Sequence, residues 1–201
     1  MLAVALDANP AAAAESITAA NPTYPCLVDV GHVVAELYGM VNVPSAVWID
    51  EQGRVVRPAE PAGATDAFRT ELDRATMQMS ESGAAESKRV KDAYYDAVRA
   101  WVREGGFALS ADEARRRARV ATAAEALAAA HLRLAVLLAE RGDREAAGRH
   151  AREASSVAPG LWHVRRQGWS IEGLAPAEAL AAFFAAVDEL GLRPYHVPID
   201  L

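Results

Sequence analysis

The chain has 201 residues, 52% of them hydrophobic and 24% charged, and a formal net charge of −6. This is enough apolar side chain to fill one or two cores, and the acidic balance excludes a broad basic surface for nucleic acid or anionic membranes. A single cysteine, Cys26, excludes an internal disulfide and a multi-thiolate metal site.

Residues 2–6 form a short apolar run, which predicts a strand covered on both faces. Asp7-Ala8-Asn9-Pro10 turns the chain, and an alanine-rich helix is expected over 11–20, ended by Asn21-Pro22. A second short strand is expected over 26–28. Asp29 is placed to cap a helix over 32–38, which Gly39 stops. Residues 43–50 are rich in strand formers. Glu51-Gln52-Gly53 then supplies a short loop with glycine where positive φ is needed, and residues 54–57 return as the partner strand.

From Thr65 onward helix formers dominate. A helix is expected over 65–80, carrying Phe68, Leu72, Ala75 and Met79 at helical spacing. The Ser/Gly/Ala stretch 80–85 is expected to be a linker. A second helix over 86–104 places Val90, Tyr94, Ala97, Val98 and Trp101 on one stripe, and Gly105-Gly106 stops it. Ser110 to Glu113 resembles a capping box. A long Ala/Leu-rich helix then runs to Arg141, Gly142-Asp143 turns into a helix over 144–157, and Pro176 opens the last helix.

Three strings in the first 63 residues carry a family resemblance: Tyr24-Pro25-Cys26-Leu27-Val28-Asp29, Ala35-Glu36-Leu37-Tyr38-Gly39, and the run from Asn42 through Val43-Pro44-Ser45 to Ile49-Asp50-Glu51-Gln52-Gly53. In this order and spacing they resemble the redoxin branch of the thioredoxin-like superfamily, meaning peroxiredoxin-like and thiol-disulfide oxidoreductase-like domains. The resemblance implies an incomplete α/β thioredoxin-like domain over 1–80, lacking its first strand and active-site helix; the helix formers that follow it predict an all-α, tetratricopeptide-like region over 86–201. The resemblance also implies a cis bond before Pro44 and peptide binding through the backbone of Val43.

The sequence departs from the family at the chemistry. The Cys-x-x-C helix would precede Met1, so an N-terminally truncated domain is expected, with strand edges left open for self-association or a protein partner. Reactive cysteines commonly sit at helix N-termini, whereas Cys26 lies in an extended run. It is the candidate catalytic thiol only if the chain is a thiol-disulfide oxidoreductase or peroxide reductase, alone or completed by a partner subunit.

In the helical half, Leu134, Ala135, Leu138, Gly142, Ala147, Ala154 and Pro159 match one tetratricopeptide-like helix pair, a spacing that an ordinary helical hairpin also satisfies. Trp162 and Trp169 are seven apart and share a helical face. With Arg165 and Arg166 they form either a core stripe edged by solvated charge or a candidate contact for an anion or partner. His32, His131, His150, His163 and His196 show no ligand spacing, so no metal site is expected, and no cofactor motif is present. No apolar run approaches the roughly 20 residues that span a bilayer, and no secretory leader is recognisable. The expectation is therefore a cytoplasmic, non-catalytic protein-binding or assembly module that engages neither nucleic acid nor membrane.

Overall fold

The computed structural model of the chain describes residues 1–201. It is a mixed α/β protein with nine helices and three two-stranded sheets. The chain forms two compact units, each assembled from two stretches: Met1–Val41 with Val120–Phe183, and Asn42–Arg119 with Phe184–Leu201.

In the first unit, β1 (Ala3–Leu6) pairs in parallel with β2 (Cys26–Asp29), with Ala3 opposite Cys26 and Leu6 opposite Asp29. The connection is α1 (Ala14–Ala20), ended by Asn21 in the left-handed region. Both strands are half-buried rather than covered on both faces: Leu27 is exposed, and the other strand residues are partly so. The Asp29 carboxylate accepts from the N–H groups of Val33 and Val34 at 3.0 and 2.7 Å. It satisfies two of the otherwise orphaned donors at the start of α2 (Val33–Leu37). Gly39 then leaves the helix with φ 66°.

The helical part of this unit is α6 (Ala123–Glu140), α7 (Arg144–Val157), α8 (Trp162–Ile171) and the start of α9 (Pro176–Asp188). Thr122 and Glu125 form a reciprocal capping box at the head of α6. Small side chains let α6, α7 and α8 approach closely. Ala128, Leu132, Ala154, Ala158, Leu161 and Val164 make one core, flanked by Val41 and Ile171. A Cβ on Gly168 would lie 3.2 Å from Ser155 Oγ and 3.5 Å from the Ala151 carbonyl, so α8 packs on α7 through bare backbone.

In the second unit, β3 (Ser45–Ile49) and β4 (Val55–Pro61) form the expected hairpin, with Gly53 at φ 77° in its turn. The expected helix over 65–80 does not form. A single turn, α3 (Phe68–Glu71), gives way to a small hairpin of β5 (Leu72–Asp73) and β6 (Gln78–Met79). Asp73 explains the break, because its side chain accepts from the N–H groups of Ala75 and Thr76 and favours a turn over a helix.

The expected linker at 80–85 is also overturned. Ser80 accepts from the Gly83 N–H as the N-cap of α4 (Glu81–Glu104), so the Ser/Gly/Ala stretch is the first turn of a 24-residue helix. The predicted stripe on α4 does face inward: Tyr94 and Ala97 join Trp48 in the core, with Val98 and Trp101 against them. Ser110 caps α5 (Ala111–Arg117) through the Glu113 N–H, and the last turn of α9 contributes Phe184 and Val187. No helix is long and apolar enough to cross a membrane.

Candidate functional site

Cys26 lies within the β1–β2 ladder, half-buried, with its thiol directed at the Tyr24 carbonyl 3.8 Å away. It stands in a strand, not at a helix N-terminus, so the dipole that commonly activates a thiol is not at hand.

The Val43–Pro44 bond is cis. The loop that holds it is closed on itself: Val43 N–H donates to Asn42 Oδ1 at 2.8 Å, Ser45 Oγ donates to the Asn42 carbonyl at 2.6 Å, and Ala62 N–H donates to the Pro44 carbonyl at 3.1 Å. Asn42 Nδ2 in turn donates to the Tyr195 carbonyl at 3.2 Å. The Val43 N–H is thus engaged by the neighbouring side chain.

The expected aromatic and basic cluster does assemble on α8. The Arg165 guanidinium lies 5.1 Å from the Trp162 ring and 5.9 Å from Trp169, and Arg166 lies 5.5 Å from Phe183. Trp162 is buried, so these arginines cover core aromatics with their planar groups. In the second unit, Trp48 lies tilted against Trp101 with the ring centroids 5.0 Å apart and donates from its indole to Tyr94 Oη at 2.8 Å, so these rings fill one another's space. Burial pushes the Tyr94 phenol up to about 12. An open cleft of about 520 Å³ lies beside α3 and the start of α4. Its acidic side chains are already used: Asp66 accepts from the Tyr195 and His196 N–H groups, and Glu71 accepts from Ser80 and Ser82.

The most unusual polar feature of the first unit was not legible in the sequence. His32 and His163, 131 positions apart, are both buried, and their Nδ1 atoms lie 2.8 Å apart. One ring donates to the other across this contact. His32 Nε2 is fully buried and has no hydrogen-bond partner.

Burial drives both rings towards the neutral form. His163 falls to about 4, with the adjacent His32 adding to the effect, and His32 falls below its ordinary value against a smaller opposing pull from Asp29. His32 also holds φ 54°, a region that non-glycine residues seldom occupy. Gln167 lies beside the His32 ring, and its Oε1 accepts from the Ala8 N–H at 2.9 Å. The pair therefore ties the β2–α2 loop to α8 as a neutral bond closed to solvent, which is a fastening and not a base that substrate could reach.

A search against family models finds no match, and neither curated proteins nor solved structures yield a match to this chain.

Proposed function

We propose that this chain is a redoxin-derived, thioredoxin-like assembly module that pairs with a second copy of itself and does not perform thiol catalysis. The single observation behind this reading is the sheet of β1 and β2, which stops at two strands. Two strands alone rarely make a stable sheet in water, and an unpaired edge is a template for another strand.

The ladder identifies which groups are free. Ala3 N–H donates to the Pro25 carbonyl, so by the alternation of a parallel pair Ala3 and Ala5 face β2. Val4 and Leu6 then direct their N–H and C=O groups to the outer edge. The strand Ala3–Leu6 carries no charge or proline to deter pairing, and Leu2 beside it is exposed. A second copy fits because antiparallel pairing of β1 across a two-fold axis sets the same apolar residues against each other. The helical hairpin of α6 and α7 fits the tetratricopeptide-like part of the reading, the cis Val43–Pro44 bond fits its redoxin part, and a cytoplasmic setting fits the lone thiol.

Sedimentation across a concentration series tests the proposal. Dimers are expected for the chain and for Cys26→Ser. Val4→Pro should be monomeric, since it deletes only an outward N–H and leaves the β1–β2 ladder intact. A monomer at every concentration overturns the reading. So does reduction of insulin disulfides or peroxide that disappears in Cys26→Ser, which would make the chain a thiol-dependent oxidoreductase.

A further inference from the structure

A second histidine pair has a different character from the first. His131 on α6 and His150 on α7 place their Nδ1 atoms 2.8 Å apart, with the rings stacked at 30° and their centroids 5.1 Å apart. The two residues belong to antiparallel helices joined by the tight Gly142-Asp143 turn. Each sits one helical turn from buried core alanines, Ala128 and Ala135 on α6 and Ala147 and Ala154 on α7. Both rings are only half-buried, so solvent and small ions reach the rim of the seam. This contrasts with His32 and His163, whose rings are almost wholly enclosed.

We propose that His131 and His150 form a two-imidazole site for a late divalent transition metal, with copper(II) held most tightly and water completing the coordination shell. The bite of the pair favours this class. Two imidazole nitrogens at about 2.05 Å from one ion and 2.8 Å apart subtend about 86° at the metal. That is close to the right angle between adjacent ligands at a square-planar or octahedral ion, whereas a tetrahedral zinc site would need about 3.3 Å between the nitrogens. Copper(II) combines the preferred geometry with the highest affinity for nitrogen ligands along the divalent series.

In the metal-free chain, one Nδ1–H donates to the other Nδ1. On loading, the donor ring's proton passes through solvent from Nδ1 to its own Nε2, so that both rings stay neutral, both Nδ1 lone pairs are free to bind the ion, and the metal cross-links α6 to α7. No cluster of three or more histidine, cysteine or acidic ligands exists in the molecule. The ion would therefore keep open positions for water.

The test is calorimetric titration of copper(II) chloride into the Cys26→Ser chain at neutral pH in a non-coordinating buffer, so that the lone thiol takes no part. One equivalent should bind saturably, with spin-resonance splitting from two nitrogen ligands, and the thermal midpoint should rise with metal. His131→Gln and His150→Gln should each lower the affinity at least tenfold and remove the metal-dependent rise. His163→Gln should leave binding unchanged. Nickel(II) should bind more weakly than copper(II), and zinc more weakly than copper(II) as well. Absence of saturable binding, binding that survives either His131→Gln or His150→Gln, or loss of binding in His163→Gln would each overturn the assignment.

Discussion

Arg57 carries the largest single electrostatic stake in the second unit, and replacing it by leucine should show this. Its side chain is 2% exposed, and it is one of the largest fully buried side chains in the chain. Nε donates to both carboxylate oxygens of Glu60 at 3.0 Å. Nη1 donates to the Phe107 carbonyl at 3.0 Å and Nη2 to the Asp200 carbonyl at 2.7 Å. The guanidinium also lies 5.2 Å from the Trp48 ring. Arg57→Leu strands a largely buried carboxylate, for which about 3–5 kcal/mol is the expected cost.

Replacing Glu60 by leucine as well removes the stranded charge. Only the two carbonyls then lack donors, as they do in Arg57→Leu as well, so the double variant should be about 3–5 kcal/mol more stable than Arg57→Leu. The pH dependence has a definite sign. Burial already raises the Glu60 carboxyl above its usual range, against the pull of Arg57, and loss of Arg57 raises it further. The folded state then holds the Glu60 proton to higher pH than the unfolded state does. Stability therefore falls as pH climbs from about 4.5 through the raised value. Urea denaturation followed by circular dichroism at pH 4.5 and pH 7 should find the Arg57→Leu deficit smaller at the lower pH. A deficit below about 1 kcal/mol at pH 7, or a double variant no more stable than the single one, refutes the reasoning.

Three further outcomes follow from the same contacts. Tyr94→Phe leaves the buried Trp48 indole N–H without its acceptor and should cost about 1–3 kcal/mol in urea denaturation, with a shift in tryptophan emission. Stability of the whole chain should fall as pH drops from 6.5 towards 4, because the unfolded chain takes up protons that buried His163 refuses. The contribution from His163 is on the order of 3 kcal/mol across that window, and thermal midpoints against pH should show a flatter profile for His163→Gln. Gly83→Ala should destabilise by about 1–3 kcal/mol despite the better helix propensity of alanine, because the added Cβ would collide with Glu71 and lie 2.8 Å from Met79 Sδ; a thermal midpoint equal to or above the parent's would contradict that packing.

What the sequence makes legible is local. The Asp29 cap, the Gly53 turn and the Ser110 cap rest on interactions within a few residues of each other, and each appears where spacing predicts it; the inward stripe of α4 is readable from its helical period, although its partner Trp48 is distant in the chain. The helix over 65–80 fails for a reason also local but easily missed: periodic apolar positions were present, yet Asp73 offers its carboxylate to its own backbone two and three residues on. The opposite error occurs at Ser80, where residues with loop-like composition supply an N-cap and, in Gly83, the small first-turn residue that close packing demands.

The decisive polar contacts leave no such trace. Arg57 reaches Phe107 and Asp200, Asn42 reaches the Tyr195 carbonyl, and His32 meets His163, each across dozens of positions or more. Periodicity registers only that a residue faces inward; it carries no information about which distant polar group meets it there. His131 and His150 make the point sharply, since each is readable as a seam position one turn from small core alanines, while their pairing follows only from the way α7 folds back on α6. A polar residue on an otherwise apolar helical face should therefore be read as half of a pair whose other half lies on the element packed against it, because burial without a partner costs more than most folds tolerate.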